Sequence, residues 1–146
     1  MKRSQLEHLN AWVGEWETEA THPMLPDTVV PGRISVEWLE GERFLLHRAR
    51  NEHPDFPDSI SVIGETEEGA DNLTMHYFDS RGVFRVYGLS AEEGELKIWR
   101  DDPAFRQRFT GRFSDGSSTF AGTWELNEAE AGWNDDLKIT YRRAGG

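Results

Sequence analysis

Along most of this chain apolar and polar residues alternate with a period of two, the spacing that puts successive side chains on opposite faces of a strand. After Gly14, the residues Trp16, Thr18, Ala20 and His22 share one face, while Glu15, Glu17, Glu19 and Thr21 share the other. The alternation returns in Ile34, Val36 and Trp38 against Arg33, Ser35 and Glu37. It returns again in Phe120, Gly122, Trp124 and Leu126, and in Leu137, Ile139 and Tyr141. Only the opening of the chain follows a helical period. Ser4 to Glu7 has the form of a capping box, and Leu6, Leu9 and Val13 recur on one side of a short helix of about three turns.

Turn residues punctuate the remainder at Glu40-Gly41, Glu68-Gly69, Ser80-Arg81-Gly82, Glu93-Gly94, Asp101-Asp102-Pro103 and Ser114-Asp115-Gly116. Between them lie about ten strands, near residues 14–22, 29–38, 43–51, 59–65, 72–79, 83–90, 95–100, 105–113, 118–126 and 133–143. Ten short strands joined in sequence, each with one apolar face, close most simply into an antiparallel up-and-down β-barrel, which leaves no exposed edge. A flattened sandwich is the alternative. The pattern thus predicts an all-β protein with a short N-terminal helix, a single domain over residues 1–146 and no linker.

Composition narrows the function classes. The chain has 146 residues, of which 36% are hydrophobic, and includes six Trp, eight Phe and three Tyr, enough for an aromatic core. With 27 acidic residues against 16 basic ones and a net charge of −11, it has no basic run, which argues against nucleic acid and anionic membranes as partners. The absence of cysteine excludes disulfides, thiolate zinc sites and cysteine nucleophiles. No segment approaches the roughly 20 apolar residues of a spanning helix, and Met1-Lys2-Arg3-Ser4 leads into no apolar signal core. The expectation is a soluble cytoplasmic protein. Five scattered His without a close pair predict no metal site, and there is no phosphate loop, dinucleotide fingerprint or nucleophile elbow.

Gly14-Glu15-Trp16, at the start of the first strand behind a short helix, resembles the Gly-x-Trp of the calycin superfamily. In lipocalins an Arg from a late strand packs over that Trp at the closed end; the resemblance implies Arg142 or Arg143 here. The run from Leu9 to Ala20 is similar to the opening of the nitrobindin-like barrels and of bacterial relatives of unknown function, and Asp136 to Arg143 is similar to their closing strand. Nitrobindins bind haem through a His just upstream of that strand. This chain has Trp133-Asn134-Asp135-Asp136 there, and a carboxylate is a poor substitute for imidazole at a haem iron. No cofactor is therefore expected; haem stays as an alternative through His22, His47 or His76.

With strands alternating in direction, the end away from the helix collects five connections: His22 to Pro26, His53 to Pro57, Asp79 to Gly82, Asp101 to Ala104, and Asn127 to Gly132. Two of them read His-Pro-x-x-Pro, and Pro stiffens whatever a loop carries. Near this rim, parity puts His22, Tyr77, Arg100 and Gln107 on apolar faces. In strands three and six the phase is open, so either His47 or Arg48, and either Phe84 or the pair Arg85 and Tyr87, face inward. A buried polar group needs a partner, which the anion or carbonyl of a ligand would supply.

The favoured reading is a pocket for a small hydrophobic or aromatic molecule with a carbonyl or carboxylate head, lined by His22, Met24, Trp38, Tyr77, Arg85, Tyr87, Arg100, Gln107 and Trp124. The enzymatic alternative is a cofactor-free isomerase, cyclase or hydratase with His22 as general acid or base and Tyr77, Arg85 or Arg100 polarising a carbonyl. Blander readings stand beside both. Pro-rich connections also simply end strands, and the aromatics, Trp16, Trp38 and Trp124 first, also serve as core. Trp99 breaks the parity of Leu96 and is a surface aromatic, a dimer contact or a sign of a wrong phase, which leaves a homodimer open. Arg106, Arg108 and Arg112 read as a solvated face, His8 and His53 as exposed, and His76 as open between faces.

Overall fold

A computed structural model describes residues 2–65, 72–129 and 132–144. The expected turn at Glu68-Gly69 and two residues of the last rim connection, 130 and 131, lie outside the described residues. The helix α1 (Lys2–His8) runs into a 3₁₀ turn over Leu9–Trp12. Ten strands follow: β1 (Gly14–His22), β2 (Leu25–Trp38), β3 (Phe44–Asn51), β4 (Ser59–Gly64) and β5 (Leu73–Asp79), then β6 (Phe84–Glu92), β7 (Glu95–Asp102), β8 (Phe105–Ser114), β9 (Thr119–Glu128) and β10 (Asn134–Arg143). They form one closed antiparallel barrel in which each strand pairs with its sequence neighbours and β1 pairs with β10. No helix among the described residues is long and apolar enough to cross a membrane.

The period-two pattern becomes an inside and an outside. Trp16, Thr18 and Ala20 of β1 are buried, as are Val30, Ile34 and Val36 of β2, while the intervening Glu, Arg and Pro side chains face out. The outer face of β8 carries Arg106, Arg108 and Arg112, paired with Asp101, Glu125 and Glu95. The open phases resolve as well: His47, Arg85 and Tyr87 lie on the inner face, and Arg48 and Phe84 on the outer. Trp99 is a surface aromatic laid against Gly88, where a β-carbon would collide with the indole. His76 also faces out, stacked on Phe84. Ile60, Phe78 and Phe84, register neighbours across β4, β5 and β6, are exposed.

Three expectations need correction. Ser4 is not the residue before the helix, because α1 already begins at Lys2. Strand β2 starts at Leu25 rather than near 29: His22 pairs with Leu25 across a two-residue turn, with a register shift between Ala20 and His22, so the first His-Pro-x-x-Pro is a hairpin and not a loop. Proline removes one donor from a ladder without forbidding an extended strand. His8 and His53 are half-buried rather than exposed, the latter because its ring packs edge-on against Phe56 and accepts from the Asp55 N–H.

The closed end is built on Trp16. Its indole N–H donates to the Trp12 carbonyl at 2.8 Å, and Tyr141 meets it edge-on at 5.7 Å. Opposite it in register stands Arg143, whose guanidinium lies 4.0 Å over the ring and donates to the carbonyls of Ala11, Val13 and Ser117. Arg143 rather than Arg142 fills this place; Arg142 points outward to Glu19. Gly14 holds a φ of +137°, and a side chain there would strike Arg143. The Gly-x-Trp spacing thus has a local cause. Leu6, Leu9 and Trp12 are buried at this end and plug it.

Trp16 is 1% exposed. Trp16→Ala is expected to cost about 3–5 kcal/mol in urea unfolding, the range for truncating a buried aromatic. A loss under about 1 kcal/mol would mean the indole is not part of the core.

Candidate ligand-binding cavity

The aromatic side chains fill only the closed half of the barrel. Gly111 and Gly122 face inward there and leave room for Phe109 and Phe120, whose rings would collide with any β-carbon at those positions. Above this layer opens a cavity of about 810 Å³ that reaches the rim. A volume of several hundred Å³ suits one small ligand. Its walls are mainly apolar, from Ala20, Ile34, Met75, Ile98, Trp124 and Ile139, with three polar clusters in the wall and rim and a His47–Tyr141 pair at the floor.

The first cluster joins β1 to β10 at the rim. His22 Nδ1 accepts from the Met24 N–H at 3.1 Å, which places the ring proton on Nε2, 2.5 Å from Asp136 Oδ1. Both ring nitrogens are therefore engaged within the protein. Asp136, read in the sequence only as a missing histidine, proves to be the partner of His22.

The second cluster is anchored by the buried Asp79 carboxylate. It accepts from the Tyr77 hydroxyl at 2.7 Å, from Nε and Nη2 of Arg81, and from the backbone N–H of Arg81 and Val83. The Arg81 guanidinium above all holds this carboxyl well below the usual range. Burial first, then the bond to Asp79, raises Tyr77 far above an ordinary phenol. The arrangement is a rigid, charge-compensated lip.

The third cluster sits beside the stretch where β6 and β7 are not paired. Pairing between β6 and β7 runs only from Gly88 with Trp99 to Glu92 with Glu95, so Phe84–Tyr87 has no ladder partner on β7. Arg85, Tyr87 and Gln107 come together inside this stretch. The Tyr87 hydroxyl donates to Gln107 Oε1 at 3.0 Å, Arg85 Nη1 reaches the same oxygen at 3.5 Å, and the guanidinium lies 5.5 Å from the Phe105 ring centre. Burial raises the Tyr87 hydroxyl, partly offset by Arg85.

Of the nine residues expected to line a pocket, His22, Met24, Tyr77, Arg85, Tyr87, Gln107 and Trp124 do line this cavity. Met24 stands at the mouth, 80% exposed. Trp38 and Arg100 do not. Trp38 belongs to the closed end, where its indole donates to Asn10 Oδ1 at 2.8 Å. Arg100 turns away into the β7–β8 connection, donating to the Phe105 carbonyl and meeting Asp102 at 3.4 Å. Trp38 ends β2 opposite Leu45, too near the closed end to reach the cavity, whereas the Arg100 guanidinium goes to the nearest acceptors, which parity does not reveal.

Sequence reasoning passed over Trp12 and Tyr141, which form the cavity floor together with His47. The signal for Trp12 was its spacing of three from Leu9, on the buried side of the helical segment. His47 Nε2 lies 3.0 Å from the Tyr141 hydroxyl, and burial lowers the imidazole to about 4. Among the described residues, no group of three or more His, Asp or Glu could hold a metal ion.

No family model matches this chain, and no curated protein matches it in sequence. A solved structure does match in fold. Rv2717c from M. tuberculosis superposes with a TM-score of 0.67 over 95% of this chain and 96% of that one, at 11% identity. Identity that low carries the barrel alone.

The lowered His47 sets a pH dependence for folding. The unfolded chain takes up the proton near 6.5 and the folded one only near 4, so His47 contributes its full share above 6.5 and the share is lost as pH falls toward 4. The loss is on the order of 2–3 kcal/mol. Urea midpoints of the wild type should fall across that window, and His47→Gln should flatten the slope there.

Proposed function

We propose that the barrel binds one small, mostly apolar molecule whose carboxylate or carbonyl head is held at Arg85. The observation that carries this reading is a difference among the basic side chains that line the cavity. Arg81 is matched by Asp79 and His22 by Asp136, whereas Arg85 has no carboxylate partner among the described residues, only Gln107, Tyr87 and the Phe105 ring. A half-buried guanidinium beside two neutral polar groups favours an anionic or strongly accepting ligand atom. Trp124, Phe109 and Ile98 give the apolar body of such a ligand its contacts.

The enzymatic alternative through His22 finds less support. A general acid or base must present a ring nitrogen to the substrate, and both nitrogens of His22 are engaged by Met24 and Asp136. A haem site fits these residues no better. His47 gives its Nε2 to Tyr141, and His76 faces out. The resemblance to calycins and nitrobindin-like barrels therefore supports a ligand-holding barrel without its haem chemistry.

Calorimetric titration with decanoate and with decanol tests the head group. Arg85→Met is expected to weaken decanoate by about ten- to a hundredfold, the value of a charge-assisted hydrogen bond, and to leave decanol nearly unchanged. Equal affinity of wild type and Arg85→Met for decanoate would reject Arg85 as the anchor. Hemin titration should give no tight site with a His-ligated spectrum.

A further inference from the structure

The floor of the cavity carries polar chemistry that the Arg85 reading leaves unused. Tyr141 from β10 and His47 from β3 meet there across the barrel, and the Trp12 indole lies 4.8 Å from the imidazole and 6.1 Å from the phenol between ring centres. Trp12 Nε1 is buried beside the Tyr141 phenol, and His47 Nδ1 is buried with no hydrogen-bond partner. A native protein seldom leaves such a group unsatisfied without a functional reason. Around them stand Ile34, Ala49, Phe109 and Ile139, all apolar and all lining the same cavity.

Burial keeps both groups neutral at ordinary pH, holding the imidazole proton-poor and the phenol protonated. The hydroxyl has one donor and two acceptor positions. If it donates to His47 Nε2, a lone pair remains for a ligand donor. If His47 carries its proton on Nε2 and donates to the phenol oxygen, the Tyr141 O–H is free for a ligand acceptor. A hydroxyl group fits either tautomer and a carbonyl fits the second. A charge fits neither, because no opposite charge lies at the floor.

We propose that the Tyr141 hydroxyl, backed by His47, is a second binding point that takes a neutral oxygen at the end of the ligand remote from Arg85. The inference rests on the reading of the cavity as a ligand site and names the class: a medium-length amphiphile with an acidic head and a hydroxyl or carbonyl at the other end. Register supports the span. His47 pairs with Ser61, Ser61 with Tyr77 and Tyr77 with Arg85, all on the inner face, so the two points are joined by a polar row crossing four strands. Three strand-to-strand steps amount to roughly 14 Å along the wall.

The test measures affinities of ω-hydroxydecanoate and decanoate for the wild type, Tyr141→Phe and Arg85→Met, with decanediol and decanol as the pair lacking a carboxylate. The wild type should prefer ω-hydroxydecanoate over decanoate by about three- to tenfold, one net hydrogen bond, and Tyr141→Phe should abolish that preference. Arg85→Met should weaken both acids together and keep their ratio. A ratio unchanged in Tyr141→Phe, or a wild type that prefers decanoate, overturns the floor site and leaves the Arg85 anchor standing. A Tyr141-dependent preference for decanediol over decanol, with Arg85→Met without effect on either acid, upholds the floor site and removes the anchor. Failure of the wild type to bind any of the four overturns the inference. Should Tyr141→Phe not fold, nitrogen NMR of labelled His47 in the wild type decides: ω-hydroxydecanoate must move the ring signals further than decanoate does, and equal movement overturns the proposal.

Discussion

The clamp of Arg143 on Trp16 is the contact on which the rest of the barrel depends. A half-buried guanidinium here has three backbone carbonyls and an indole face instead of a carboxylate, and burial lowers its affinity for a proton. Those carbonyls belong to Ala11, Val13 and Ser117, so one side chain from β10 ties down the 3₁₀ turn, the start of β1 and the β8–β9 turn. It thereby fixes the seam where the first and last strands meet. Closing the sheet at that seam removes the edges that the first and last strands would otherwise present.

The same clamp positions the floor of the cavity. The 3₁₀ turn that Arg143 holds presents Trp12 upward, where it forms the cavity floor with Tyr141 and His47. Tyr141 serves both levels, meeting Trp16 from above and His47 from the side. The cavity is thus not a packing defect left over from a loose core. It is bounded below by a rigid aromatic layer and above by side chains whose charges are mostly matched. That contrast, paired side chains at the lip and an Arg85 without a carboxylate in the wall, is the basis of the orientation proposed for a ligand.

The strands were legible because water exposes one face of each and the aromatic interior buries the other, so the period-two pattern is a direct record of burial. The approximate positions of the ten strands and the closed end at Trp16 follow from that record, as the helical plug follows from its own longer period. The inward phase of β3 and β6 was not legible. Leu45-Leu46 and Phe84 set against Arg85-Val86-Tyr87 place apolar and polar groups on both faces, and alternation loses its meaning where an inner face is partly polar.

Sequence by itself therefore determined the architecture of this protein: which residues alternate, where the chain turns, and that its ends meet. Tertiary structure alone decided which polar groups are satisfied. His22 finds Asp136 at a separation of 114 residues, and His47 finds Tyr141 at 94. Such pairs leave no local trace, because a hydrogen bond depends on where two side chains end in space, whereas strand periodicity depends only on where each begins.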